Sequence, residues 1–513
     1  MDNFSHKPIL LLPLLSYFVA CQPKWVTDGP PQDIPTTQTV DTTEPAQEPS
    51  IEPDAPPIAY ISVQSSYFTG QEIVFDASQS YDPQGYPLEF DWNCTDGSIG
   101  SSSRLQIVSN NATEISCSVL VTSSSTLTAQ ESASTRIFAR PENASWTILV
   151  YIAGDNNLET AGIGDINEME MVGSDENVNI IVEMDRSREY ETGYGNWSGA
   201  RRFYITQDNS DDITSPVIED LGRVDSGNPN TISNFAIWGV ENFPAEKYAF
   251  IIWNHGWSWS VQASPSISKG IASDDETGND ISVAEGELEN LFTHVQQETN
   301  IHFDIIGMDA CVMQSWEIAH VLAPYGDYYV ASQDYESWDG WNYTDTLRDL
   351  KNQPTFSGLE LSNSFAERFF QTGDSTLSVL DLSQLESFET HLDNLASALM
   401  DSHSSNQLYD AAKHSYSYDG SNIGDDHDIY GIAEYLHDNG LSPDVRLSSG
   451  LLMNALDSLI VTNYVQDYVS DAHGLNIFAP ARHDWGYAGS LYSQATWSSN
   501  SLWDDVLYDA YSQ

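Results

Sequence analysis

Hydrophobic and polar positions divide this chain into four stretches of different rhythm. Residues 9–20 form one apolar run, and residues 22–57 carry almost no large apolar side chain after Trp25. From Pro57 to about Ala139, short β-branched and aromatic runs are separated by turn residues, which predicts a small all-β unit. From Trp146 onward, longer apolar runs alternate with helix-like segments. Residues 146–153, 177–184, 248–253 and 303–308 read as buried strands, and 158–172 and 283–297 as helices between them. Near-continuous apolar strands alternating with helices predict an α/β unit around a parallel or mostly parallel sheet. Sites in such sheets gather at the carboxyl ends of the strands.

Composition narrows the partners. With Lys+Arg 18 against Asp+Glu 76 the formal charge is -58, which repels phosphate backbones and anionic head groups wherever salt does not screen it. Nucleic acid is therefore not an expected partner. A length of 513 residues calls for two or more domains. Lys7 precedes the 9–20 run, which has the length of a signal h-region and is too short to span a bilayer. Its end, Phe18-Val19-Ala20-Cys21, resembles the lipobox of bacterial lipoproteins, although Phe18 replaces the usual Leu and Asp2 places an acid in the n-region. The resemblance implies a signal peptide over 1–20, lipidation of Cys21 and an exported protein. Gln22 fits sorting to an outer membrane or cell surface. Residues 21–57, rich in Pro, Thr, Gln, Asp and Glu, then form a tether too poor in apolar area to fold.

Within residues 58–139, Gly70-Gln-Glu-Ile-Val-Phe-Asp-Ala-Ser-Gln-Ser-Tyr-Asp-Pro-Gln-Gly85, then Leu88-Glu-Phe-Asp-Trp92 and Asp96-Gly97, resembles a PKD domain, an immunoglobulin-like β-sandwich. Asn93-Cys94-Thr95 departs from that family's usual run after Trp92. Cys117, on a later strand, is the candidate disulfide partner of Cys94 in an exported protein. The resemblance implies a spacer or weak binding module, with the structural role favoured.

Of four cysteines, one is then assigned to the lipid and two to a bridge, which leaves Cys311 for chemistry. The 248–253 strand leads through Asn254 to His255-Gly256, and the 303–308 strand leads to Asp309-Ala310-Cys311. A thiol and an imidazole at neighbouring strand ends suffice for acyl transfer through a thioester, because the imidazole raises the thiolate fraction and carries protons. Asp309 lies two residues before Cys311, on the same face of an extended segment. No His-Glu-x-x-His, Gly-x-Ser-x-Gly or Walker motif competes with this reading, and His320, His427 and His473 lack metal-ligand spacing.

Trp146-Thr-Ile-Leu-Val-Tyr-Ile-Ala-Gly-Asp-Asn-Asn-Leu-Glu159, Asn254-His-Gly256 and Met308-Asp-Ala-Cys-Val-Met313 look like the successive signatures of the clostripain family of cysteine peptidases. Ala331-Ser332 with Gly340-Trp341-Asn342-Tyr343, and Gly474-Leu-Asn-Ile-Phe478, are similar to later family segments, so the resemblance covers residues 145–513. It implies a caspase-like fold and cleavage of proteins or peptides after Arg or Lys. Cys311 would be the nucleophile, His255 the proton carrier, and the N–H groups of Gly256 and Cys311 the oxyanion donors. Asp309 would line the pocket for the basic side chain, with Asp339 the better and Asp334 the weaker second acid. Family members are often cut between the histidine and the cysteine, and Lys269 is the one basic residue in that interval. Some relatives are calcium-dependent, and Asp274-Asp275-Glu276-Thr-Gly-Asn-Asp280 concentrates oxygen ligands without EF-hand spacing, so Ca2+ is a candidate ligand and the favoured reading is a solvated loop. The rival readings are a surface adhesion or binding protein on an inactive peptidase scaffold, and an amidase-like hydrolase on the same fold.

Overall fold

The computed structural model describes residues 54–64, 66–139, 143–188, 190–259, 270–417, 426–480 and 485–511. The signal peptide, Cys21, nearly all of the tether and Lys269 lie outside the described residues.

The first unit is all-β. Ser66–Phe68, Thr128–Phe138, Thr113–Ser123, Leu88–Cys94 and Ile99–Gly100 lie side by side in one sheet, and Glu72–Asp76 pairs with Arg104–Val108 in another. Alternate residues point inward along these strands, and Ile73, Phe75, Trp92, Val119 and Val121 fill the space between the sheets. Cys94 and Cys117 are direct cross-strand partners and are joined by a disulfide.

The second unit is built on a nine-stranded sheet, in the order Val217–Gly222, Gly199–Tyr204, Val178–Arg186, Ala144–Gly154, Ala245–Trp253, Phe303–Asp309, Gly326–Ala331, Thr376–Asp381, Ile460–Val465. Its five central strands run parallel, and two antiparallel strands close each edge. The near-continuous apolar runs follow from helices on both faces. Leu149, Tyr151 and Ala153 pack against the helices Pro229–Asn242 and Glu287–Thr299, whereas Ile148, Val150 and Ile152 pack against Glu159–Glu170 and Gly358–Thr372. Each fully buried aliphatic side chain contributes about 1.5–3 kcal/mol against exposure. The antiparallel edge strands were not marked by the apolar runs: Val217–Gly222 is only partly buried, and its pattern is that of a surface ribbon. Among the described residues no helix is long and apolar enough to cross a membrane.

The two units touch through Phe68. Its ring meets Tyr204 at 5.4 Å and Phe243 at 5.2 Å, both edge-on, and Ser66 Oγ donates to the Val217 carbonyl at 3.1 Å.

Candidate active site

Parallel pairing fixes the site. Trp253 and Asp309 are partners at the carboxyl ends of adjacent central strands, and the Asn254 N–H continues the ladder by donating to the Asp309 carbonyl at 3.2 Å. His255 and Cys311, each two residues further on, therefore leave the sheet at the same level. The chain turns sharply behind Cys311, since Val312 has φ +53°, a conformation costly for a β-branched residue. Gly256 lies so close to this turn that a Cβ there would stand 2.3 Å from the Cys311 carbonyl oxygen and 2.7 Å from Met313 Cγ. Glycine is needed at 256 for that approach rather than for a left-handed backbone.

His255 is 8% exposed, and its burial holds the imidazole down to about 4, so the ring is neutral at physiological pH. Nε2 lies 3.0 Å from Asn157 Oδ1, while Nδ1 has no hydrogen-bond partner among the described residues. With the amide oxygen accepting, Nε2 carries the proton and Nδ1 keeps the lone pair, the form a base requires. Cys311 Sγ lies 3.4 Å from the backbone nitrogen of Glu336, which donates to it.

Beside Cys311 is a recess lined by Leu158, Trp253, Asp309, Glu336, Trp338 and Gly340. Its free volume is about 20 Å³, room for one water and not for an arginine side chain. Asp309 accepts from the Tyr343 hydroxyl at 2.8 Å and the Trp341 N–H at 3.4 Å, yet burial still pushes its carboxyl up to about 7. Glu336 is buried as well, its carboxyl is raised well above the usual range by burial and then by Asp309, and its Oε1 has no hydrogen-bond partner among the described residues. Asp165, on the Glu159–Glu170 helix, is likewise raised by burial first and Asp309 second. A guanidinium or ammonium entering this recess would meet carboxyls that have no ion-pair partner among the described residues.

The other expected acids fall elsewhere. Asp339 is exposed and does not line the recess, although its neighbours Trp338 and Gly340 do. Asp334 is partly buried; its carbonyl accepts from the Val312 N–H at 3.0 Å, and burial moves its carboxyl up to about 6. Sequence reasoning named neither Glu336 nor Asp165 nor Asn157 as a site residue. Asn157 alone carried a signal, lying inside the first family-like segment.

A family model described as the clostripain family matches residues 150–509. Among curated proteins, the clostripain of Hathewaya histolytica is 24% identical over 401 residues, covering 66% of this chain and 75% of its own length. Similar solved structures include a secreted C11 cysteine protease from Bacteroides thetaiotaomicron in complex with an irreversible peptide inhibitor. It is 22% identical, with a TM-score of 0.52, and the match covers 69% of this chain and 100% of that one. Another is an inactive zymogen C11 protease from Parabacteroides distasonis, 18% identical, with a TM-score of 0.53 and coverage of 70% and 99%. At these identities the structural likeness establishes the fold.

Proposed function

Because this chain belongs to the clostripain family and is a cysteine endopeptidase, we propose that it cuts after Arg or Lys, that it is exported and lipid-anchored through Cys21, and that it matures by cutting itself after Lys269. The observation that carries the specificity is the recess beside Cys311, where Asp309 and Glu336 lie buried with no ion-pair partner among the described residues. A basic side chain would pair with both, and the charge-assisted bonds formed in a dry site favour it over a neutral one of equal size.

In this reading the Cys311 proton passes to His255 and Sγ attacks the scissile carbonyl carbon. The tetrahedral oxyanion is held by the N–H groups of Gly256 and Cys311. The C–N bond breaks as His255 returns the proton to the departing amine, leaving a thioester on Sγ. Water, losing its proton to His255, then displaces Sγ and releases the new carboxyl terminus. The narrowness of the recess supports maturation. Segment 336–340 has to move outward before a long side chain can enter, and a cut in the histidine–cysteine interval is a physical means of freeing it.

The test is turnover of fluorogenic peptides ending in Arg, Lys or Ala by wild type and by Cys311→Ala. Hydrolysis confined to basic substrates and abolished in the variant is expected, as is purification of the variant uncut at Lys269. Equal turnover of Ala substrates would point to an amidase-like hydrolase, and no turnover by cut protein supplied with calcium would leave the binding-protein reading. A variant still cut at Lys269 would overturn self-processing.

A further inference from the structure

Segment 332–337 runs alongside the chain that follows Cys311. The carbonyls of Ser332 and Asp334 accept from the N–H groups of Gln314 and Val312 at 2.9 and 3.0 Å, and two residues further along the Glu336 N–H donates to Cys311 Sγ at 3.4 Å. The other end of that same peptide group, the Tyr335 carbonyl, accepts from the Ser375 hydroxyl at 2.6 Å. Every described peptide bond is trans, and a trans peptide points its C=O and N–H in opposite directions within one plane. Ser375 and Cys311 therefore hold opposite edges of a single rigid unit.

Ser375 is itself fixed. It is buried, its N–H donates to Asp374 Oδ1 at 2.7 Å, and Asp374 Oδ2 accepts from the Ser337 N–H at 2.8 Å, on the far side of Glu336. Its carbonyl accepts from the Gln466 N–H at 3.0 Å, just past the strand Ile460–Val465. Next along, Thr376 Oγ1 accepts from the Gln333 N–H at 3.1 Å and lies 2.9 Å from Ser332 Oγ. Three consecutive side chains thus hold the segment, and Ser375 is the one bonded to the peptide group that touches the sulfur. The ionisable groups around that sulfur, among the described residues, are acids, phenols and one neutral imidazole. Asp309 and Glu336 share its recess, Tyr335 and Tyr416 pack against it, Asp334 and Asp374 lie on and behind the segment, and the His255 ring is uncharged. In such surroundings an N–H donor is worth most to a developing negative charge.

We propose that Ser375 is a positioning residue for the nucleophile: acting through the Tyr335–Glu336 peptide group, its hydroxyl aims and polarises the N–H on Cys311 Sγ and so favours the thiolate. Sulfur accepts weakly as a thiol and more strongly once ionised, so a fixed N–H stabilises the ionised form selectively. A hydrogen bond to a carbonyl strengthens the N–H of the same peptide as a donor, by about 10–30% per bond. Without the hydroxyl the Tyr335 carbonyl loses a buried partner, and the peptide plane is free to turn its N–H off the sulfur. The consequence for turnover rests on the reading of Cys311 as the nucleophile; the effect on its thiol does not.

The test follows the rate at which iodoacetamide alkylates Cys311 in the full chain as a function of pH, the site being identified by the mass of its peptide. Ser375→Ala should slow alkylation roughly 3- to 10-fold on the rising limb of the profile, the worth of one hydrogen bond. The plateau at high pH, where the thiol is fully ionised, should stay nearly unchanged. Thr376→Val, which removes the neighbouring hydroxyl from the same segment, should keep the parent profile. On the acid side kcat/KM of Ser375→Ala should fall in the same proportion as alkylation. An unchanged rising limb in Ser375→Ala would overturn the proposal. So would a slowing equal at every pH, or an equal shift in Thr376→Val, because both mark a general loosening of the segment. Should Ser375→Ala not fold, Ser375→Cys, of similar volume and a weak donor, takes its place with the same expectations. A shifted thiol profile together with turnover that survives Cys311→Ala would leave Ser375 in its role and remove Cys311 as the nucleophile.

Discussion

Glu336 meets the proposed chemistry twice, its backbone N–H on Cys311 Sγ and its carboxyl in the wall of the recess. Replacing it with Gln keeps the backbone contact and the shape and removes the carboxyl that would ionise against a bound cation. Glu336→Gln should therefore lower kcat/KM for Arg and Lys substrates by roughly 10- to 150-fold, the worth of a charge-assisted hydrogen bond, while the rate at which a small thiol reagent reacts with Cys311 stays nearly constant. Steady-state kinetics beside that reaction rate checks it; an unchanged kcat/KM would remove Glu336 from substrate recognition. Residues at this scale differ in how legible they are in the sequence. His255 stands two residues and Cys311 three residues beyond apolar runs that read as strands, so their places follow from the runs. Glu336 stands among Tyr335, Ser337, Trp338 and Asp339 in an irregular segment, where no period says which side chain turns inward. Asp339 was the natural choice there, and it faces solvent.

The strands place the site, and small residues let the pieces approach. Gly307, in the middle of Phe303–Asp309, has the rim of Trp341 so near that a Cβ would lie 2.9 Å from its ring and 3.1 Å from Ile251. Trp341 in turn donates its N–H to Asp309 and packs on Phe365 at 5.1 Å. Gly307→Ala should cost about 1–3 kcal/mol of stability through overpacking and should raise KM for basic substrates more than it lowers kcat, because it pushes Trp341, whose N–H holds Asp309, and not Cys311. Thermal unfolding and a KM/kcat comparison test this; a fall in kcat alone would contradict it. The alternation of residues between the two faces of the sheet was readable from sequence because both faces are buried. The outermost strands, Val217–Gly222 and Ile460–Val465, were not, since their half-exposed patterns resemble those of loops.

For the whole molecule, acidity and burial combine in one pH dependence. Burial raises Asp309 to about 7, Glu317 to about 8 and Asp334 to about 6. Such a carboxyl binds its proton in the folded chain before the unfolded one does, so its contribution to stability is largest below the unfolded pKa and is lost as pH rises through the folded value. His255 works in the opposite sense, but its window lies lower, between about 6.5 unfolded and about 4 folded. Between pH 8.5 and pH 6 the carboxyls therefore dominate, and a formal charge of -58 adds self-repulsion that relaxes in the same direction. In chelator the melting midpoint should rise as pH falls from 8.5 to 6, and added salt should raise it more at pH 8.5 than at pH 6. A midpoint that falls over this range would contradict the assignment of these acids as buried and uncompensated.

Phe68 belongs by sequence to the β-sandwich and by packing to the core of the peptidase. A construction boundary drawn between the two would leave Tyr204 and Phe243 facing solvent, an adhesive aromatic spot that favours aggregation. The sandwich is thus a stopper, and the catalytic unit is not freely exchangeable between architectures: a fusion or truncation has to carry Ser66–Phe68 along with it or repaint that spot with polar residues.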